Sequence, residues 1–197
     1  MRQFKLNVSM VIATMLLFVV ALKINELLFS RFEFAPGISW MYLPAGVRLL
    51  CTLMFGEAGA IGLLFISWIV CIVDFFPNDP VRSFVGGILA SAGPYLVYRA
   101  MQAFSGLQPS LRNLTPKRLL ACSVMFSIAS PFLHHLWFAL YEHKDHLGAS
   151  FVAMATGDLG GTLVVLYLAK FLLWCRASLR PGRRSGTAPR NAGRNTE

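Results

Sequence analysis

Charge is scarce in this 197-residue chain: Asp, Glu, Lys and Arg make up 14% of it, against about 25% in an ordinary soluble domain. That is too little to cover a soluble fold, which excludes a soluble cytoplasmic enzyme. Cysteine is sparse as well. Cys51, Cys71, Cys122 and Cys175 each lie inside or at the edge of an apolar run, without CxxC spacing. This excludes a secreted disulfide scaffold and a cysteine metal knuckle, and the four thiols read as small structural hydrophobes. No phosphate-binding loop, Rossmann glycine turn or Ser/His or Cys/His nucleophile arrangement is visible. The chain therefore reads as a non-enzyme, with no cofactor and no metal.

Apolar residues are abundant. The hydrophobic share is 56% with sixteen Phe, and the mean hydropathy is +0.59. This is more apolar surface than one soluble core can bury, so lipid is the expected solvent. At ~20 residues per crossing, the length suits an all-α polytopic membrane bundle of about six transmembrane helices over residues 1–175. The runs are Asn7–Phe29, Trp40–Phe55, Ala60–Phe76, Val81–Met101, Leu119–Tyr141 and Leu147–Trp174. The first passes directly into Lys23, Asn25 and Glu26 without a small-x-small cleavage site, and reads as an uncleaved span. A loop is expected over Ser30–Ser39. The second run holds Pro44, Gly46 and Arg48 and is barely long enough to cross, so it should be short, broken or tilted. Gly56 to Gly59 reads as a tight turn, and Pro77-Asn78-Asp79-Pro80 as another. Small residues four apart (Ala153, Gly157 and Gly161; Gly86 and Ala90) suit close helix packing in lipid.

Six spans put both termini on one side. Most of the eighteen basic residues then share that side: Arg2, Lys5, Arg99, Arg112, Lys117, Arg118, Lys170 and the six arginines from Arg176 onward. Only Lys23, Arg31, Arg48, Arg82 and Lys144 fall elsewhere. The positive-inside rule makes the termini cytoplasmic. Residues 176–197, with Arg176, Arg180, Arg183, Arg184, Arg190 and Arg194, read as a disordered basic cytoplasmic tail. Beside anionic lipid each arginine contributes about 1 kcal/mol, so the tail is a topology determinant and lipid tether rather than a nucleic-acid arm.

Ionisable groups inside a span are expensive and mark function or pairing. Arg48 lies eight residues past Trp40 and Asp158 eleven past Leu147, depths of about 12 and about 16 Å at helical rise. At similar depth they read as a bidentate ion pair. Either it locks the second span to the sixth, or it lines a cavity that responds to a ligand or proton. Thr156-Gly157-Asp158 is superficially similar to a GxGD protease motif, but position 155 is Ala and no second intramembrane Asp matches it. His134 and His135 sit near the outer end of the fifth span, and adjacent helical positions allow at most one to face the bundle. Glu142, His143, Asp145 and His146 follow without a known ligand spacing and read as solvated loop residues. Glu26, Lys23 and Asp74 cluster at outer span ends. With Arg48, Asp158 and one histidine they would form a polar outer vestibule.

Two segments carry a family likeness. Trp40-Met41-Tyr42-Leu43-Pro44-Ala45-Gly46, opening a short span that ends in Phe55-Gly56, resembles the W-x-P-(P)-A-G start of the bacterial integral-membrane sensory domain MASE1. Gly157-Asp158-Leu159-Gly160 is similar to that domain's G-D-x-x-G segment near its last helix. The likeness runs from about residue 35 to 175. It implies a bacterial inner-membrane sensory protein and carries over Pro44, Gly46 and Asp158; Pro44, Gly46 and Gly157 read as cavity lining with the histidines, Glu26 and Asp74. It also implies action through a separate partner such as a kinase or cyclase, because only the basic tail follows Trp174. The other reading from the residues is a small solute transporter, or the substrate-binding membrane subunit of one, which interrupted spans and a midplane ion pair would suit. Deleting residues 177–197 is expected to leave insertion intact if the inner loops suffice for it, read by labelling of single cysteines placed in the loops; an inverted protein would show that the tail sets orientation.

Overall fold

The computed structural model describes residues 2–35, 38–108, 113–142 and 147–178. It is 88% helical. Six helices carry the fold: α1 Arg2–Phe29, α2 Leu43–Phe55, α3 Glu57–Val70, α4 Pro80–Ser105, α5 Pro116–Trp137 and α6 Leu147–Ser178. Four of these helical stretches, α1, α3 with its extension to Phe75, α5 with its extension to Glu142, and α6, are long and apolar enough to cross a membrane. α4 has the length, but Gly, Ser, Pro, Tyr and two arginines dilute its hydropathy. α2 has the hydropathy but only thirteen residues.

Polarity is distributed as lipid requires. Outward-facing positions include Leu16, Leu27, Ile61, Phe65, Ile128, Phe132, Leu168 and Phe171, all exposed, while Thr14, Asn25, Arg48, Thr52, Ser123, Ser130, Asp158 and Thr162 are buried. A soluble monomer rarely exposes so continuous an apolar surface. Lipid supplies no hydrogen-bond partner, and Thr14, Asn25, Thr52 and Ser123 find theirs within the bundle.

α2 is buried over ten of its thirteen residues. It shares one core with α1 and α3 (Phe18, Leu22, Val47, Cys51, Leu63, Ile66) and another with α4 and α5 (Ala45, Leu49, Leu53, Val97, Tyr98, Phe126). Its closest partner is α6. Gly46 faces the Gly161 carbonyl and Val165. Gly56 adopts φ 57°, and helix resumes at once. The expected turn over Gly56 to Gly59 therefore narrows to Gly56, and Gly59 packs on the Cys51 carbonyl instead.

The expected loop over Ser30–Ser39 is more ordered than its single proline and glycine suggested. A 3₁₀ turn at Ser30–Phe32 leads into a small antiparallel hairpin, β1 Glu33–Ala35 and β2 Ile38–Ser39, paired Glu33 to Ser39 and Ala35 to Ile38. The chain bends at Trp40 and Met41 and stays non-helical to Tyr42, so α2 begins at Leu43 rather than Trp40. This strap, Ser39 to Tyr42, lies on the small-residue face of α6. A Cβ on Gly157 would collide with the Ser39 carbonyl oxygen, and one on Gly161 with that of Tyr42. The strap's polar groups are satisfied locally. The Tyr42 N–H donates to the Gly157 carbonyl at 3.2 Å and the Trp40 N–H to that of Phe32 at 2.9 Å. The Leu43 N–H donates to the side chain of Asn25 at 2.8 Å. Asn25 on α1 thereby caps α2, whose own sequence offers no capping side chain.

Helices α3 and α5 each end in a π-helical turn, Cys71–Phe75 and Phe138–Glu142. Nothing in the residue pattern announced these. The tail arginines from Arg180 onward lie outside the described residues, as do His143, Asp145 and His146. Arg176 falls in the last turns of α6, and its side chain is likewise outside them.

Gly157→Val and Gly161→Val are each expected to lower stability by about 1–3 kcal/mol or more, because a backbone carbonyl rather than a flexible side chain must move. Gly148→Ala, with nothing within 4 Å of its added carbon, is expected to be neutral. Thermal unfolding in nanodiscs checks both.

Candidate functional site

A cavity of about 60 Å³ lies between the strap, α2, α4, α5 and α6, at the end of the bundle that carries the hairpin and both π-helical turns. Its polar wall comes from Ser39 and Tyr42 of the strap, Arg48 of α2, Cys71 of the first π turn, Arg82 of α4, His134 of α5, Glu142 of the second π turn and Asp158 of α6. Phe75, Phe76, Leu89, Trp137, Phe138 and Met154 complete it. π turns re-aim side chains by inserting an extra residue per turn. Here they bring Cys71 and Glu142 onto the same space.

Arg48 and Asp158 both line this cavity, 6% and 1% exposed. The expected bidentate contact does not form. The ion pairs among the described residues are Lys23 with Glu26 at 2.8 Å and Arg82 with Glu142 at 3.0 Å. The physical reason is the setting of the guanidinium. Its carbon stands 5.2 Å from the Phe18 ring centroid and 5.3 Å from that of Tyr42, held between two aromatic faces. Arginine tolerates this because its weakly hydrated plane stacks on rings. One terminal nitrogen reaches the Tyr42 hydroxyl only at 3.5 Å. Arg48 Nε and Asp158 Oδ2 are left with no hydrogen-bond partner, and Ser130 Oγ and Thr162 Oγ1 share that condition. Arg48 and Asp158 remain within electrostatic reach of each other, and both act on Tyr42.

The two histidines divide their roles, and both turn inward, contrary to the expectation that at most one would. Successive helical residues lie 100° apart, and α5 is wrapped closely enough for both directions to be interior. Each ring is anchored by Nδ1 on the carbonyl four residues back, His134 on Ser130 at 2.9 Å and His135 on Pro131 at 2.8 Å. Because a carbonyl only accepts, Nδ1 carries the proton, and in the neutral ring of His134 Nε2 is an acceptor. His134 lines the cavity. His135 lies outside it, with Nε2 2.8 Å from the Ser150 hydroxyl, and ties α5 to α6.

Other expected lining residues also fall elsewhere. Pro44, Gly46 and Gly157 are packing positions between strap, α2 and α6, because the close approach that makes the cavity wall consumes their surfaces. Glu26 and Asp74 line a neighbouring groove with Asn25 and Glu33. That groove and the cavity share Ile38, Ser39, Tyr42 and Phe75 as a common wall.

Sequence reasoning missed Arg82 and Tyr42 as site residues, and read Glu142 as loop. Arg82 lies 3.8 Å from the Phe76 ring centroid, and its partner Glu142 also accepts from Trp137 Nε1 at 3.0 Å. Asp79 caps α4 through the Arg82 N–H at 3.0 Å, which fixes Arg82 in the first turn and aims it at the mouth. A Pro-Asn-Asp-Pro turn followed by Arg was the available signal. No group of three or more His, Cys, Asp or Glu is placed to hold a metal among the described residues. Comparison with family models, curated proteins and solved structures finds no match for this chain.

Two buried charges that do not touch contribute little to holding helices together, and replacing such groups by apolar or neutral ones is often neutral or stabilising. The double variant Arg48→Met/Asp158→Asn is therefore expected to unfold at or above the wild-type temperature in nanodiscs; a midpoint several degrees lower would make the two residues a structural lock.

Proposed function

We propose that this chain is an integral membrane sensory protein that takes up a small polar ligand in the cavity between the strap, α2 and α6 and acts through a partner protein. One observation carries the reading: two opposite charges line one cavity, are almost wholly buried, and leave Arg48 Nε and Asp158 Oδ2 unpartnered. Burying such groups without partners is unfavourable by several kcal/mol, and a bound molecule supplies what the fold does not. The likeness of Trp40–Gly46 and Gly157–Gly160 to MASE1 supports a sensory role, and these same segments form the strap contact on α6. The positive-inside distribution supports a cavity on the outer side of a bacterial inner membrane, with about six spans and cytoplasmic termini. The basic tail then lies against anionic lipid on the inner face.

The route from cavity to partner is mechanical. The cavity is bounded by a strap held to α6 through small residues, so a ligand between them alters the spacing of α2 and α6, and α6 leads directly into the tail. Transport is the second reading. Pro94 and Pro131 interrupt α4 and α5, and Gly93 packs against Ser130 close to both, an arrangement that permits bending beside the cavity.

Equilibrium dialysis of nanodisc-embedded protein against a pool of small polar metabolites, with mass spectrometry of what is retained, separates the possibilities. Wild type is expected to retain a compound that Arg48→Met and Asp158→Asn lose, and that compound is expected to stay trapped inside proteoliposomes. Undiminished retention in both variants would move binding away from this cavity, and flux across the bilayer would select transport.

A further inference from the structure

We infer that the ligand of this cavity is a small zwitterion of the size of glycine, its carboxylate taken by Arg48 and its ammonium by Asp158. The inference rests on the cavity being a binding site, and adds the chemical class.

Charge pattern is the first ground. Arg82 is already engaged by Glu142, which removes one positive and one negative charge from the wall. Arg48 and Asp158 remain, of opposite sign, on different helices, facing one space without touching. A ligand with one charge answers one of them and leaves the other as it was. A molecule with a negative and a positive end answers both at once, and gains from their fixed separation.

Donor and acceptor type is the second ground. Arg48 Nε is a buried donor without an acceptor and Asp158 Oδ2 a buried acceptor without a donor. A carboxylate only accepts and an ammonium only donates. His134 also lines the cavity and, with Nδ1 donating to the Ser130 carbonyl, offers at Nε2 an acceptor that an ammonium can use. At the other end, the aromatic faces of Phe18 and Tyr42 hold the guanidinium plane, so that a carboxylate meets a preset fork rather than a mobile side chain.

Size is the third ground. At about 10–15 Å³ for each water-sized position, a cavity of about 60 Å³ holds about four to six water-sized groups, which suits glycine better than a large amino acid. Leu89, Phe138 and Met154 add apolar wall.

The test uses the full chain in nanodiscs and four probes: glycine, acetate, methylammonium and acetamide, with leucine as a size control. Binding is read by isothermal titration and by the shift in unfolding temperature. Glycine is expected to bind and to raise the midpoint, with acetate, methylammonium, acetamide and leucine each at least tenfold weaker. Arg48→Met and Asp158→Asn are each expected to weaken glycine by about thirty-fold or more, the lower end for removing one partner of a buried charged contact. The comparison among probes on the wild-type chain decides the matter even if a variant does not fold. Acetate or methylammonium equal to glycine, with loss confined to Arg48→Met or Asp158→Asn respectively, overturns the zwitterion while leaving the cavity a binding site. Acetamide equal to glycine overturns the need for charge. Glycine binding that survives in both folded variants, or no binding of glycine at all, also overturns the assignment; the metabolite pool, which includes larger and differently charged compounds, then reports separately on the cavity.

Discussion

The close seating of a non-helical strap on a glycine face is the contact from which the rest of the arrangement follows. Residues Ser39 to Tyr42 lie against Gly157 and Gly161 so tightly that any side chain there would strike a backbone carbonyl. This approach lets the Tyr42 N–H reach the Gly157 carbonyl and starts α2 below the hairpin, where the Asn25 side chain caps it. Non-helical backbone deep in a membrane bundle is tolerated where protein surrounds it and its polar groups are met. Here both conditions hold, and the cavity lies beside the strap.

Once α2 is fixed, the charges follow. Arg48 stands just over one turn into a helix buried on nearly all sides, so its guanidinium has only aromatic faces and a small cavity to turn to. Asp158 is the residue next to a glycine pinned by the strap, one helical step around from it, and therefore faces the same cavity. Neither can move to the other without giving up its packing. The fold thus holds two opposite charges apart inside a low-dielectric space, the arrangement on which the proposed zwitterion site rests.

Elements away from the strap support this geometry. The π-helical turns at the ends of α3 and α5 bring Cys71 and Glu142 inward. The Arg82–Glu142 pair, held by the Phe76 ring and the Trp137 indole, joins α4 to the end of α5 at the cavity wall. His135 fastens α5 to α6 through Ser150, leaving His134 as the cavity-facing imidazole. Lys23 and Glu26 pair on an exposed surface, where such a contact adds little.

Composition and periodic hydropathy were enough to fix an apolar helical architecture, the short second helix, and the small-residue face of α6, because each depends on local content: apolar run length, an early proline, and glycines at four-residue spacing. They were enough, too, to single out Arg48 and Asp158, since an ionisable residue inside an apolar run is conspicuous wherever it packs. Depth arithmetic brought those two to one level but not into contact, because a helical rise says nothing about the rings that hold a guanidinium. The hairpin and strap, the capping of α2 by Asn25, the inward turn of both histidines, and the recruitment of Arg82 and Glu142 came only with the tertiary structure. Each joins residues distant in sequence or depends on a π turn, and no local pattern records which helix faces will meet.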